Sequence, residues 1–404
     1  MKILVLNAGS SSQKSCLYDI AGDTFPEEPL KPLWEAKVDW THHQGFAEIE
    51  VKTATGAKLE EEIASNSRSE VVARMLDTLC NGSTKVINEP SEINAVGHRV
   101  VHGGEDYRES VVITEDVKQA IARLATIAPA HNPVNLEGIE AIEQNLGTIT
   151  QVAVFDTAFH AQIPDAAAIY PGPYEWVEQG IRRYGFHGIS HQYCAQRAAR
   201  ILGRDLAGLR LITCHLGNGC SLAAVKNGYS IDTTMGFTPL DGLMMGSRSG
   251  AVDPGIIIHL LRQSDYSADK LDNVLNKASG LRGISGISGD MRQIRQEISQ
   301  GNSRAQLAFD VYVHRLRSYI GAMLASLFGL DALIFTAGVG ENDAVLREVT
   351  CEAFEFLGLQ IDKEKNKHKS VDVDISTPDS AVRVLVIHTE EDWEIARECW
   401  RLVK

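Results

Sequence analysis

Ile3-Leu4-Val5-Leu6-Asn7-Ala8-Gly9-Ser10-Ser11-Ser12-Gln13-Lys14 opens the chain and runs into Cys16-Leu17-Tyr18-Asp19-Ile20. Much later Leu211-Ile212-Thr213-Cys214-His215-Leu216-Gly217-Asn218-Gly219 runs into Ser221-Leu222-Ala223-Ala224-Val225. In both, an apolar run enters a turn of Gly, Ser and Asn and leaves through a second run of strand formers, the pattern of a β-hairpin and not of a strand-to-helix turn. Glycine lets the backbone approach a ligand closely, and successive N–H groups and hydroxyls facing into such a turn surround an anion. Two phosphate cradles of one kind predict two related domains facing one nucleotide. The first stretch also suits an ordinary serine-rich turn. It is not a Walker loop, because Gln13 stands where the second glycine belongs and a strand-like segment follows Lys14 where a helix should open.

The 404 residues exceed what one core usually serves, so two domains are expected, and 44% apolar with 23% charged residues suits a folded globular chain. A formal charge of -14 argues against nucleic acid or an anionic membrane as the main partner. An anionic substrate therefore needs a local cluster of arginine and lysine. The seven cysteines include no C-x-x-C pair, which points to a reducing cytoplasm and not to a disulfide framework or zinc knuckle. The N-terminus lacks the sections of a secretory signal, and the apolar stretch 320–335 is too short to cross a bilayer.

Periodicity predicts strands and turns to about residue 60 and helices over 69–79 and 115–127. Strands are expected over 95–101 and 151–155, the second delivering Asp156 at the end where open α/β sheets hold ligands. In the second half a long helix over 304–328 closes at Gly329. A buried strand over 332–335 then enters the glycine turn Gly338-Val339-Gly340-Glu341-Asn342, read as the floor under a nucleotide. Gly283, Gly286 and Gly289 read as a flexible lead into a helix from Asp290-Met291-Arg292, and 362–380 as an exposed Lys-rich connection. A last strand, 382–387, precedes a helix that returns to the first domain. His187 and His191 share a helical spacing, yet no glutamate completes a zinc motif, and a core histidine competes with a ligand-facing one. Arg99 and Arg248 stand alone among small residues, suited to clamping a carboxylate or phosphate or to a structural ion pair.

Together these segments resemble the acetate kinase family over nearly the whole chain. The resemblance is carried by Asn7 to Ser12, Gly97-His98-Arg99-Val100-Val101-His102-Gly103-Gly104, His131-Asn132-Pro133, Phe155-Asp156-Thr157-Ala158-Phe159-His160, Arg183-Tyr184-Gly185-Phe186-His187-Gly188, His215 to Gly219 and Gly338 to Asn342. It implies an α/β fold of two duplicated actin-like (ribonuclease H-like) domains with an interdomain nucleotide cleft. The first domain would span 1–155, completed by the helix 393–404; the second, 156–392, would hold the nucleotide bed and a homodimer interface. The implied reaction is ATP plus acetate giving ADP plus acetyl phosphate by direct in-line transfer, with Mg2+ or Mn2+.

The resemblance also implies roles. Arg99 would grip acetate, with Val101, His131, Phe186 and Pro239 around it. His187 and Arg248 would stabilise the transferring phosphoryl group, and Asp156 would order metal or substrate. Asn7 and Glu391 match metal-associated positions. Lys14, Ser10, Ser12, His215, Leu216, Gly217, Asn218, Gly219, Asp290, Met291, Arg292, Gly338, Val339, Gly340, Glu341 and Asn342 would hold the nucleotide. Ala130 replaces the family's usual leucine before His131 and leaves a wider methyl pocket. Thr389-Glu390-Glu391-Asp392 departs from the usual order around Glu391, and Gln13 and Ser15 stand where the family commonly has Leu and a hydrophobic residue. Two alternatives stay open: a propionate or butyrate kinase, since one methylene is worth only about 1–3 kcal/mol, and a non-metabolic actin-like ATPase.

Overall fold

In the computed structural model, which describes residues 1–9, 12–40, 45–65, 67–263, 265–368 and 371–404, the opening run forms β1 (Lys2–Ala8) and folds back as β2 (Ser12–Asp19). Their antiparallel register sets Asn7 opposite Lys14, and Gly9 N–H donates to the Ser12 carbonyl at 2.8 Å across the turn. The sheet continues through β3 (Trp34–Asp39), β4 (Phe46–Thr53) and β5 (Lys58–Ala64) on one side. On the other lie β6 (Ile93–Val100), β7 (Val111–Val112) and β8 (Thr150–Phe155). Its order is β5-β4-β3-β2-β1-β6-β8-β7, with β1, β6 and β8 parallel.

The second hairpin, β9 (Arg210–Leu216) and β10 (Cys220–Lys226), begins the same plan again. With β11 (Tyr229–Thr233), β12 (Ala332–Thr336), β13 (Val373–Asp374) and β14 (Arg383–Val386) it forms a sheet ordered β11-β10-β9-β12-β14-β13. The core orders β3-β2-β1-β6-β8 and β11-β10-β9-β12-β14 correspond strand for strand: an antiparallel meander, then two strands parallel to its first. This is the duplicated α/β arrangement that the repeated hairpin predicts. The chain forms two compact units, Met1–Ala161 with Glu390–Lys404, and Gln162–Thr389.

In the first unit β1 is buried on both faces. Leu4 and Leu6 join a core with Val71, Met75 and Ile142 of the helices Arg68–Cys80 and Asn132–Leu146, while Ile3 and Val5, also fully buried, point the other way by strand alternation. The final helix, Glu391–Val403, packs against β1, β6 and β8. It lies so close that a Cβ on Gly97 would sit 2.5 Å from Cys399 Sγ and 2.6 Å from Ile395 Cγ2, so only glycine fits beside it. Among the described residues no helix is long and apolar enough to cross a membrane.

Several local expectations need correction. The helix expected over 115–127 ends at Arg123 and tightens into a 3-10 turn, Leu124–Thr126. The long helix Ser303–Leu327 stops one residue early, because Phe328 itself adopts the left-handed conformation at φ 56°. Gly338 and Gly340 are not a turn but part of the helix Ala337–Asn342, and the sharp change of direction falls on Ala337 at φ 63°. Gly283 lies within the helix Gly280–Ser285 and Gly286 caps it, so this lead is structured. The connection 362–380 is not simply exposed: Asn366, Ile375 and Ser376 are buried. Asn366 binds the buried Arg347, whose Nη1 donates to the carbonyls of Gly340 and Glu341 at 2.8 Å each and fastens the end of the Ala337–Asn342 helix.

Candidate functional site

At the carboxyl end of the first unit's parallel strands, β1 delivers Asn7, β6 delivers Arg99, and Asp156 follows β8 directly. Arg99 grips Asp156 with one edge of its guanidinium: Nε donates to both carboxylate oxygens at 3.0 and 3.1 Å and Nη2 to Oδ2 at 2.6 Å. Its Nη1 donates to Asn7 Oδ1 at 3.2 Å. Among the described residues this leaves one N–H on each of Nη1 and Nη2 of the five the group carries. Burial alone would push Arg99 toward neutrality; Asp156, Glu391 and Asp392 more than offset it and raise its pKa. Asn7 Nδ2 in turn donates to Glu391 Oε2 at 3.2 Å and Asp392 Oδ1 at 2.9 Å. Burial raises the Asp392 carboxyl above its ordinary pKa, against the pull of Asn7 and of Lys14. The structure thus brings Asn7, Arg99, Asp156 and Glu391 into one cluster, with Asp392 as a member that the sequence reading missed.

Around it, Val101 is buried, and its N–H donates to Asn135 Oδ1 at 3.1 Å. Asn132, beside His131, ties both the N–H and the carbonyl of His102. His131 occupies the N-cap of the Asn132–Leu146 helix, and Ala130 is exposed. Lys14 is exposed and Ser12 half-buried, while Ser10 lies outside the described residues.

The second unit assembles a different set. His187 caps the helix Gly188–Leu202 in the left-handed conformation, φ 58°, at the helix entrance, and His191 one turn on reaches the same Ser221 hydroxyl. Its Nδ1 meets Ser221 Oγ at 2.9 Å, and its ring stacks on His215 with centroids 4.2 Å apart. His215 Nδ1 meets Ser190 Oγ at 2.8 Å. Arg248 Nη1 donates to the Pro239 carbonyl at 3.3 Å. At Gly219 the place a Cβ would take lies 3.4 Å from both His187 Nε2 and Arg248 Nη1, so the two side chains converge on this turn. Phe186 is fully buried and Pro239 half-buried.

Beside this turn opens a cavity of 1230 Å³ lined by Gly217, Asn218, Asp290, Met291, Arg292, Gly338, Val339 and Asn342 from the expected nucleotide residues. Leu216 and Gly340 are buried behind it, and Glu341 points instead to His388 Nδ1 at 2.7 Å and the Thr389 N–H at 3.2 Å. Arg282 and Arg295, which the sequence reading did not single out, join Arg292 on the wall; Arg292 pairs with Asp290 at 2.6 Å and Arg295 with Asp343 at 3.9 Å, so the arginines outnumber the aspartates by one. Asp290 is the N-cap of the helix Met291–Ser299, accepting from Arg292 N–H at 2.8 Å. The helix N-terminus and arginines suit phosphate groups.

Against known proteins, the model of the acetokinase family matches residues 2–397. The chain is 72% identical over 404 residues to an acetate kinase of Nostoc punctiforme, covering all of both chains. Its structure superposes on the crystal structure of Porphyromonas gingivalis acetate kinase with a TM-score of 0.91 at 41% identity, again over both full chains. A propionate kinase from Francisella tularensis follows at 0.89 and 38%, covering 99% of each chain. The arginine–aspartate cluster, the histidine and arginine converging on a glycine hairpin, and a match that leaves only the chain's ends unaccounted for have one reading: the chain belongs to the acetokinase family.

Proposed function

We propose that the chain is an acetate kinase, transferring the γ-phosphoryl group of ATP to acetate to give acetyl phosphate and ADP, reversibly. The observation that carries the reading beyond family membership is Arg99, a cation fixed by Asp156 and Asn7 with two N–H groups left for a small carboxylate. Acetate, with a pKa of about 4.8, is already ionised at neutral pH, so its oxygen attacks phosphorus without a general base. A bond forms from that oxygen to phosphorus as the bridging P–O bond breaks, and its electron pair leaves on ADP. What the protein must supply is position and charge. Asp156, held by Arg99, serves as an anchor and not as a proton acceptor. His187 and Arg248, converging at Gly219, face the equatorial oxygens, and the Gly217–Asn218 turn with the arginine-lined cavity receives the nucleotide.

Among the described residues no group of three or more His, Cys, Asp or Glu is arranged to hold a metal. Magnesium bound with a nucleotide, however, takes only one or two protein carboxylates. Asn7, Glu391 and Asp392 offer such hard oxygen donors, and Mg2+ or Mn2+ there would neutralise phosphate charge. A homodimer is part of the proposal: the helix Pro254–Leu261 buries no side chain, and Ile256, Ile258 and Leu261 with Val252 leave an exposed apolar face suited to a second copy. The seven unpaired cysteines suit a reducing cytoplasm. Trapping the acyl phosphate with hydroxylamine tests the reaction. Hydroxamate formed only with ATP, divalent metal and acetate supports it, whereas acetate-independent ATP hydrolysis without hydroxamate refutes it.

A further inference from the structure

We propose that Ser221 is a positioning residue for His187: its hydroxyl fixes which imidazole nitrogen carries the proton and which one faces the transferring phosphoryl group. The inference rests on the role given to His187 above. Ser221 lies on β10, fully buried, opposite His215 in the β9–β10 register. Its Oγ is 2.9 Å from His187 Nδ1 and 2.7 Å from His191 Nε2. His191, also fully buried, meets Thr213 Oγ1 through Nδ1 at 2.7 Å, and Thr213 Oγ1 donates to the Ala223 carbonyl at 3.5 Å.

A hydroxyl carries one proton, so Ser221 donates to one imidazole and accepts from the other. The proposed order starts from the far end. With the Thr213 proton on the Ala223 carbonyl, His191 donates from Nδ1 and accepts at Nε2. Ser221 therefore gives its proton to His191 and accepts from His187 Nδ1. His187 then turns Nε2 toward the space at Gly219, where Arg248 Nη1 also points. A proton taken up on Nε2 when an anionic phosphoryl group arrives makes it a charge-assisted donor, and the Ser221 oxygen supports that imidazolium from behind. The charged and titratable groups around the ring in this unit include His215, stacked on it, His191 through Ser221, and Arg248 across Gly219. Serine holds the ring without adding a second negative charge beside the substrate phosphates.

The test is steady-state kinetics of Ser221→Ala, Ser221→Thr, His187→Ala and the double variant His187→Ala/Ser221→Ala. Ser221→Ala is expected to lower kcat by about 10-fold, the scale of losses from residues that orient an active-site histidine, with KM for ATP nearly unchanged. Without its acceptor the imidazolium is less stable, so the fall of kcat on the alkaline side moves to lower pH. Ser221→Thr, which keeps the hydroxyl, restores most of the rate. The double variant matches His187→Ala alone, because Ser221 acts only through that ring. Multiplicative losses in the double variant, or a Ser221→Ala enzyme with wild-type kcat and pH profile, overturn the inference. A His187→Ala enzyme with wild-type kcat overturns the underlying role of His187 instead.

Discussion

Replacing Arg99 by alanine separates substrate binding from structural pairing in one experiment. The guanidinium spends three N–H groups on Asp156 and Asn7, and the proposed acetate takes the other two. Net hydrogen bonds to charged groups contribute about 1.5–3 kcal/mol each. Because acetate regains water when the arginine is lost, about 3 kcal/mol for the pair of bonds is a fair value. At 1.4 kcal/mol per decade, kcat/KM for acetate should fall roughly 100-fold, while KM for ATP, held by other residues, stays close to its original value.

Arg99→Ala also removes the guanidinium paired with Asp156, whose side chain is only 2% exposed. Breaking one partner of such a pair costs about 3–5 kcal/mol of stability, visible in urea unfolding. The double variant Arg99→Ala/Asp156→Ala removes the buried carboxylate as well and should recover much of that stability without recovering acetate efficiency. The hydroxamate assay at varied acetate, paired with unfolding curves, reads both quantities. An acetate efficiency within threefold of wild type in Arg99→Ala, or its recovery in the double variant, would refute the assignment of Arg99 to acetate.

Arg248→Ala should lower kcat by about 100- to 1,000-fold, the range for loss of one preorganised donor to transition-state charge, with nucleotide affinity by calorimetry little changed; equal losses in both would place Arg248 in ground-state binding. Ala130→Leu should reduce propionate turnover relative to acetate, since one methylene is worth about 1–3 kcal/mol; an unchanged ratio of kcat/KM values would remove position 130 from the acyl pocket. Ile258→Asp puts a charge on the exposed apolar helix Pro254–Leu261 and should yield a monomer in sedimentation velocity; an unaltered dimer would exclude that face. His98, fully buried with its Nε2 2.7 Å from Gln151 Oε1, has its pKa lowered by burial from 6.5 to about 4. Between those values the unfolded chain binds a proton that the folded chain refuses, so stability is lost as pH falls from 6.5 to 4. His98→Gln should flatten the stability curve there by about 3 kcal/mol, and an unchanged slope would assign the loss to other groups.

The repeated hairpin made the duplicated plan legible because turn glycines and strand formers are local signals. The residues brought to the ends of β1, β6 and β8 were legible from local signals too: Asn7 and Asp156 each follow an apolar run, and Arg99 is a lone cation within the β6 segment. What stayed hidden depends on tertiary partners. Ala337 takes a positive φ that its residue type does not advertise, which moved the turn from the glycines to the alanine. Arg347 and Asn366 look like surface residues, yet each satisfies the other in the interior and draws a polar connection inward. Ser221 and Thr213 read simply as strand residues, because a hydroxyl between two imidazoles leaves no periodic trace. Asp392 stood beside Glu391 and could have been found by asking which acidic residues share the first turn of the last helix.

Gly219 shows why the sequence signal and the proposed chemistry coincide. A side chain there would not be excluded by sterics outright, since the nearest atoms, on His187 and Arg248, lie 3.4 Å from the place an added methyl would take. That distance is ordinary contact, and the backbone tolerates alanine. What a methyl would take is the space onto which His187 Nε2 and Arg248 Nη1 open, the same space a phosphoryl oxygen needs. Gly219→Ala is therefore expected to fold normally, with an unfolding midpoint close to that of the parent, and to lose turnover on the scale of Arg248→Ala. A variant with full turnover would mean that His187 and Arg248 do not act at this turn, whereas one that fails to fold would make the glycine a structural requirement and remove it as support for the site.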